Sequence, residues 1–266
     1  MLVREEVIVR REHGCAGGRD RFLGTPFDSV GFQQAIDLLE ATKADATFRY
    51  VVTPNVDHVV RLEKTRQLAE CYDAAWLSLC DSKPISMMAK VLSLEIPQVT
   101  GSDLTVALFD KVIGDTDKVA IIAANDTLVD DLKRTFPRMS LRTFVPPIGL
   151  LGDKDGMRRC VEFAAQGDEQ FIFIAVGSPQ SERIAFELSR HPKSHGVALC
   201  VGASLEFIVG AKKRAPSWMR NAGLEWLHRL SSEPRRLWRR YVYSVVPLMR
   251  LFANECWTRR LRARSQ

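Results

Sequence analysis

The sequence predicts an α/β fold with a mostly parallel β-sheet, helices on both of its faces, and a basic helical C-terminal appendage. Short apolar runs alternate with longer helical patterns over most of the chain. Several of these runs are apolar along their whole length, as expected for strands that are buried on both faces of a parallel sheet. The alternation stops after Gly210, where the pattern becomes helical and strongly basic.

The elements follow one another regularly from residue 48 onward. Strands are predicted at 48–53, 76–80, 118–124, 141–145, 171–177 and 197–202. Helices are predicted at about 55–72, 84–93, 127–136, 155–166 and 179–190. Ser204 is expected to cap a short helix, Asp126 is placed as another N-cap, and 100–104 is a further entry from loop to helix. We treat residues 1–22 as an N-terminal extension, 23–211 as the core and 212–266 as the appendage.

Charge is divided unevenly along the chain. The 266 residues include 38 Lys and Arg and 32 Asp and Glu, which gives a net charge of +6. Residues 212–266 hold 14 of the basic residues and three Glu, so this part has a net charge of +11 and the rest has −5. The body is acidic and carries no helix-turn-helix, zinc-finger or RNP-like motif, so we expect no nucleic-acid partner.

The sequence predicts a cytoplasmic protein. Its first residues are charged throughout, and no run reaches the roughly 18 apolar residues that a membrane-spanning helix needs. The six cysteines are scattered, without a CxxC pair or a Cys/His cluster. This spacing favours reduced thiols and predicts neither a disulfide framework nor a zinc site.

The appendage contains two predicted helices, at about 217–231 and 235–253, and Pro247 is expected to kink or shorten the second. On a helical wheel of the second helix, apolar residues share one face and arginines the opposite one. The apolar face comprises Leu237, Trp238, Tyr241, Val242, Val245, Leu248, Met249 and Phe252, and the basic face Arg235, Arg236, Arg239, Arg240 and Arg250. The helix could dock its apolar face on the body with the arginines in solvent, it could lie on a membrane surface, or it could bind nucleic acid or an acidic partner.

Candidate chemistry lies just after the strands, because doubly wound sheets bind ligands beyond the carboxyl ends of their strands. Asp81 is the candidate catalytic base, since partial burial at a strand end raises the pKa of a carboxyl group. An N-cap or turn role is its alternative. Thr53 and Asn55 either hydrogen-bond a sugar or nucleotide or cap the helix that follows.

Six segments carry a family resemblance: TPNVDHVVRL (53–62), Cys80-Asp81-Ser82, VTGSDL (99–104), VGSPQSE (176–182), VGASLEFIVGAKKRAPSWM (201–219) and GLEWLHRLSSEPRRLWRRY (223–241). Their order and spacing resemble the WecG/TagA/CpsF family of bacterial glycosyltransferases, over about residues 24–241. The resemblance implies a Rossmann-like α/β catalytic core and an appendage that associates with the membrane.

The resemblance also implies an inverting, metal-independent glycosyltransferase without a cofactor. Such an enzyme moves a hexose-type sugar from a UDP-sugar donor to a polyprenyl-diphosphate-linked acceptor, in surface or exopolysaccharide biosynthesis. It would be peripheral on the inner face of the cytoplasmic membrane, and it could form a homo-oligomer. Two alternatives are an inactive family member that serves as a membrane-bound assembly factor, and a UDP-sugar enzyme with a soluble acceptor.

Roles follow from the resemblance by position. Asp81 matches the general base, and Thr53 and Asn55 match residues of the substrate pocket. The other expected substrate-binding residues are Gly101, Asp103, Gly177, Gln180, Gly202, Ser204 and Glu206. Arg214, Arg229 and Arg236 are expected at the leaving group or the acceptor diphosphate. The residues expected at the membrane are Arg235, Trp238, Arg239, Arg240 and Tyr241.

This sequence departs from the family pattern around the expected sugar pocket. Ser82 stands where the family has Gly after the catalytic Asp, and Gln98 and Ser181 stand where it has Arg and Gln. These differences leave the donor open between an N-acetylmannosamine-type sugar, another hexose and a uronic acid.

Overall fold

The structure, a computed structural model, describes residues 18–42, 47–212, 215, 216, 219 and 234–264. Its strands are β1 Arg19–Phe22, β2 Thr25–Asp28, β3 Arg49–Val52, β4 Leu77–Ser78, β5 Lys118–Ile122, β6 Ser140–Phe144, β7 Phe171–Ile174 and β8 Val197–Cys200. Its α-helices are α1 Phe32–Ala41, α2 Val56–Lys64, α3 Ala69–Asp73, α4 Lys83–Val91, α5 Gly101–Lys111, α6 Asp126–Thr135, α7 Lys154–Ala165, α8 Gln180–Ser189, α9 Ser204–Ile208 and α10 Pro234–Arg264.

The six predicted strands form one parallel sheet in the order β4-β3-β8-β7-β5-β6. Successive side chains of each strand point to opposite faces, and the sheet separates two hydrophobic cores accordingly. Phe171 and Phe173 enter one core and Ile172 and Ile174 the other. Helices α1, α5, α6 and α9 cover the first face, and α3, α7 and α8 cover the second. The predicted mostly parallel sheet with helices on both faces is confirmed.

An antiparallel hairpin of β1 and β2 precedes the sheet, and the sequence patterns did not predict it. The buried carboxylate of Asp28 joins this hairpin to β4. It accepts hydrogen bonds of 2.6 Å from Arg19 Nε and Nη2 and from the Ser78 backbone N–H. The boundary that we expected after residue 22 therefore falls inside a hairpin that is bonded to the body.

Several helix boundaries and caps differ from the prediction because of local hydrogen bonds. The stretch predicted as one helix at 55–72 is divided into α2, a 3-10 turn at Arg66–Leu68, and α3. Asn125, and not Asp126, caps α6, because its side-chain oxygen accepts the Leu128 N–H at 2.9 Å. Ser204 does not cap α9, since its hydroxyl donates to the Val201 carbonyl at 2.6 Å. Helix α1 was not predicted.

The C-terminal helix α10 continues past Pro247 to Arg264, so the prediction that it ends early is wrong. Packing explains its length, because Leu248, Leu251 and Phe252 join a core cluster that includes Phe22 of the hairpin and Val59 of α2. The Phe22 and Phe252 rings meet edge to face at 6.4 Å. These contacts offset the roughly 3 kcal/mol that proline costs inside a helix. In the described part of the chain, no helix is both long and apolar enough to cross a membrane.

The residues that the helical wheel placed on one apolar face of α10 differ in their exposure to solvent. Leu248 is buried and Phe252 is half-buried, whereas Val245 and Met249 are exposed. The docked face is instead centred on Ser244, Leu248 and Leu251, and the exposed residues point away from the body. Docking on the body and an exposed apolar surface therefore occur on the same helix.

The hairpin anchor generates a stability prediction. Asp28→Ala leaves the nearly buried Arg19 guanidinium and the buried Ser78 N–H without their shared acceptor. We expect the free energy of unfolding in urea to fall by about 3–5 kcal/mol. Asp115→Ala, which removes an exposed ion pair with Arg138, is the matched control and should cost less than about 1 kcal/mol. Equal losses in the two variants would contradict the anchoring role of Asp28.

Candidate functional site

A cavity of about 230 Å³ opens at the carboxyl ends of β4, β3, β8 and β7, which are adjacent in the sheet. Its lining residues come mainly from the loops and helix starts that follow these strands. They are Thr53, Asn55, Asp57, His58, Arg61, Asp81, Ser102, Ser178, Ser181, Glu182, Cys200, Val201, Gly202, Ala203, Ser204 and Phe207. The wall is mostly polar, as a pocket for a sugar or a nucleotide must be.

Thr53 and Asn55, two of the predicted substrate-binding residues, follow β3 and line the cavity. The buried Thr53 hydroxyl donates to the Cys200 carbonyl at 3.3 Å, which links the ends of β3 and β8. Asn55 caps α2, since its side-chain oxygen accepts the Asp57 N–H at 3.1 Å. The capping alternative for Asn55 is thus realised at a position that also lines the cavity.

Asp81 follows β4 and brings a half-buried carboxylate to the cavity. Its backbone N–H donates to the Pro54 carbonyl at 3.0 Å, which holds it beside the end of β3. The N-cap of α4 is Ser82, whose hydroxyl accepts the Ile85 N–H at 3.4 Å. The side chain of Asp81 therefore does not cap this helix, and a carboxylate at this place can accept a proton from a bound hydroxyl group.

Gly202 and Ser204 follow β8 and also line the cavity. Gly101, at the start of α5, lies directly behind the wall. A Cβ atom at Gly101 would be 3.0 Å from Thr53 Oγ1 and 3.6 Å from Ser204 Oγ. The absence of a side chain at Gly101 therefore lets α5 approach two cavity residues closely, although Gly101 itself is not part of the lining.

The loop after β7 contributes Ser178, and the first turn of α8 contributes Ser181 and Glu182. None of the three was among the predicted site residues. Glu182 is only 2% exposed. Burial raises the pKa of its carboxyl group, and hydrogen bonds from Ser178 and Tyr72 and the nearby Arg61 charge oppose that rise. The structure therefore places a buried carboxyl group, with two hydroxyl neighbours, in the wall of the cavity.

Helix α2 contributes Asp57, His58 and Arg61, which sequence reasoning missed. The spacing held a usable signal, because residues three and four positions apart share a helix face, and α2 begins beside the predicted residue Asn55. Arg61 Nη1 donates to Ser178 Oγ at 3.0 Å, which joins α2 to the loop after β7.

Besides Gly101, four predicted substrate-binding residues do not line the cavity. Asp103 stabilises the start of α5, where its carboxylate accepts from the Thr100 hydroxyl at 2.6 Å. Gly177 and Gln180 lie next to lining residues, and Glu206 is paired with Lys212. Asp103 and Glu206 are held by local partners, which the sequence pattern did not indicate.

The basic residues predicted in the appendage are only partly within the structure. Arg214 and Arg229 lie outside the described residues. Arg235, Arg236, Trp238, Arg239, Arg240 and Tyr241 lie in the first turns of α10, where the backbone is described and the side chains are not. Farther along α10, the Ser244 hydroxyl donates to the Asp57 carboxylate at 3.0 Å, so the appendage does contact a cavity residue.

Metal-ligating side chains are not clustered in the described ranges, where no group of three or more His, Cys, Asp or Glu side chains could hold an ion. The acidic lining residues Asp57, Asp81 and Glu182 come from three separate strand ends.

Comparison with known proteins shows the family of this chain and a similar protein. The family model described as "Glycosyl transferase WecG/TagA/CpsF family" matches residues 21–262. The chain is also similar to N-acetylglucosaminyldiphosphoundecaprenol N-acetyl-β-D-mannosaminyltransferase of Bacillus spizizenii, with 26% identity over 229 residues. That alignment covers 82% of this chain and 86% of the Bacillus protein.

Proposed function

Because the chain belongs to the WecG/TagA/CpsF family of glycosyltransferases, we propose that it transfers a hexose-type sugar from a UDP-sugar to a polyprenyl-diphosphate-linked saccharide. The name of the Bacillus relative specifies N-acetylglucosaminyldiphosphoundecaprenol as the acceptor and an N-acetyl-β-D-mannosaminyl group as the group transferred. The observation that carries the proposal is the position of Asp81, a half-buried carboxylate in a polar cavity at the ends of four parallel strands. The product would be an intermediate of bacterial surface or exopolysaccharide biosynthesis.

The proposed reaction is a single inverting displacement with Asp81 as general base. Asp81 takes the proton of an acceptor hydroxyl group while the hydroxyl oxygen forms a bond to the anomeric carbon. The bond between that carbon and the phosphate oxygen breaks, and UDP leaves with the electron pair. Attack from the face opposite to UDP inverts the anomeric configuration. We assign no step to a metal ion or cofactor, following the family resemblance.

The other lining residues support this reaction by holding the substrates. Hydroxyl and amide groups of Thr53, Asn55, Ser102 and Ser204 line the cavity and suit the hydroxyl groups of a sugar. The buried Thr53 is fixed by its bond to Cys200, so it presents a fixed partner to the substrate. In the proposal, Arg214, Arg229 and Arg236 of the appendage meet the diphosphate groups of the leaving group or the acceptor.

Helix α10 is proposed to rest on the cytoplasmic face of the membrane. Its outer side carries exposed apolar residues, which are Tyr243, Val245, Val246, Met249, Trp257 and Leu261. The exposed Arg250 and Arg260 lie on the same helix. Apolar and aromatic side chains with arginines nearby are typical of helices that bind anionic lipid surfaces. This arrangement would bring the cavity to a lipid-linked acceptor.

The catalytic assignment is tested with Asp81→Asn. We expect sugar transfer to fall about 10²–10⁴-fold, because the amide cannot accept the proton in the transition state. The assay measures product mass after incubation of UDP-sugars with a synthetic polyprenyl-diphosphate N-acetylglucosamine in the presence of EDTA. Asp130→Asn, on the exposed side of α6, is the matched control. Transfer by Asp81→Asn at the wild-type rate would rule out Asp81 as the base.

The same assay separates the alternatives. Transfer to the free saccharide at the rate seen with the lipid-linked acceptor would favour a soluble acceptor. A wild-type chain that transfers sugar from no UDP-sugar donor would favour the inactive assembly factor.

The membrane role of α10 is tested by replacing Val246 and Met249, which are 70% and 50% exposed, with Glu. The double variant loses apolar contact and adds two negative charges near anionic lipid. We expect binding to vesicles that contain anionic phospholipid to weaken at least about tenfold in a sedimentation assay. Ile148→Glu, in the loop after the opposite edge strand β6, is the control. Unchanged vesicle binding by the double variant would contradict the proposed orientation.

A further inference from the structure

Arg61 is the one Lys or Arg side chain in the described lining of the cavity. The lining also holds the carboxyl groups of Asp57, Asp81 and Glu182, so a substrate that carries negative charge would meet repulsion at most places in this wall. Arg61 is half-buried and forms no ion pair with any described residue. The Arg61 charge acts on the nearby buried carboxyl group of Glu182, but among the described residues its guanidinium donates a hydrogen bond only to Ser178. The remaining N–H donors of this half-buried group are therefore available to an anion.

Ser178 holds the Arg61 side chain in place. Its oxygen accepts one guanidinium N–H at 3.0 Å, so its own proton is available for another acceptor. The buried carboxyl group of Glu182 is close to Ser178, and the hydroxyl groups of Ser178 and Tyr72 both act to lower its pKa. Because Glu182 is buried beside Ser178, we include it in the proposal as the group that orients the Ser178 hydroxyl group.

We propose that Arg61 binds an oxyanion of the substrate, either a phosphate or a carboxylate, and that Ser178 and Glu182 are positioning residues for it. This inference rests on the proposed function for the identity of the substrate. A UDP-sugar brings a diphosphate, and an acidic sugar would bring a carboxylate as well. The guanidinium has five N–H donors in a planar fork, of which Ser178 uses one, and the fork matches both kinds of oxyanion.

The test measures binding to the full chain by titration calorimetry with four probes: inorganic pyrophosphate, UDP, UDP-glucose and UDP-glucuronate. Arg61→Gln removes the charge and the fork, and it should weaken binding about 10–100-fold. Arg66→Gln, an exposed arginine just beyond α2, is the matched control and should bind all four probes as the wild type does. Arg61→Lys keeps the charge without the fork and should lie between the two.

The probes distinguish the two oxyanions. If Arg61 binds the diphosphate, Arg61→Gln weakens the binding of all four probes. If Arg61 binds a sugar carboxylate, the substitution weakens the binding of UDP-glucuronate and leaves the binding of UDP and UDP-glucose unchanged. Wild-type affinity of Arg61→Gln and Arg61→Lys for every probe would overturn the proposal, and so would the absence of binding of any probe to the wild-type chain.

Ser178→Ala tests the positioning role. We expect a three- to tenfold rise in KM for the donor with kcat and the melting temperature unchanged, and recovery in Ser178→Thr, which keeps a hydroxyl group. A purely structural role would lower the melting temperature instead, and that result would remove Ser178 from the proposal.

Failure of the proposed function can be distinguished from failure of the anion site. A wild-type chain that binds UDP through Arg61 but transfers no sugar would refute the proposed transferase activity and would leave the proposed anion site intact.

Discussion

Parallel pairing of β4, β3, β8 and β7 is the constraint on which the candidate site depends. Because the four strands run in the same direction and lie side by side, the segments that follow them meet at one edge of the sheet. Asp81, Thr53, Ser204 and Ser178 are far apart in the sequence, and this pairing alone brings them to one cavity. Backbone hydrogen bonds such as Asp81 N–H to Pro54 and side-chain bonds such as Thr53 to Cys200 then fix the loops relative to one another.

The appendage is connected to the same edge through α2. Leu248, Leu251 and Phe252 of α10 pack in a cluster with Val59 of α2, and Ser244 donates to Asp57 one turn earlier. Asp57 also lies in the cavity wall, together with His58 and Arg61 of the same helix. A helix with an exposed apolar surface is therefore in direct contact with the helix that forms one wall of the cavity, as the proposed lipid-linked acceptor would require.

The sequence predicted the strands well because buried parallel strands are continuous apolar runs, and it located Asp81, Thr53 and Asn55 because each directly follows a strand. Local sequence patterns do not determine the order of the strands in the sheet. The hydrogen bond between Arg61 and Ser178 could therefore not be predicted. Glu182 was missed because a glutamate is usually exposed, whereas this one is buried. The β1–β2 hairpin was missed because its strands have four residues each and one of them is mostly polar.

The central claim is that the cavity at the ends of the four strands binds the nucleotide sugar. Hydrogen-exchange mass spectrometry of the full chain, with and without saturating UDP, tests it most directly. The account predicts added protection in peptides that cover 53–61, 178–182 and 200–207, and no change in α6 or α7. Protection confined to α6 or α7, or no protection at any peptide although UDP is bound, would contradict it.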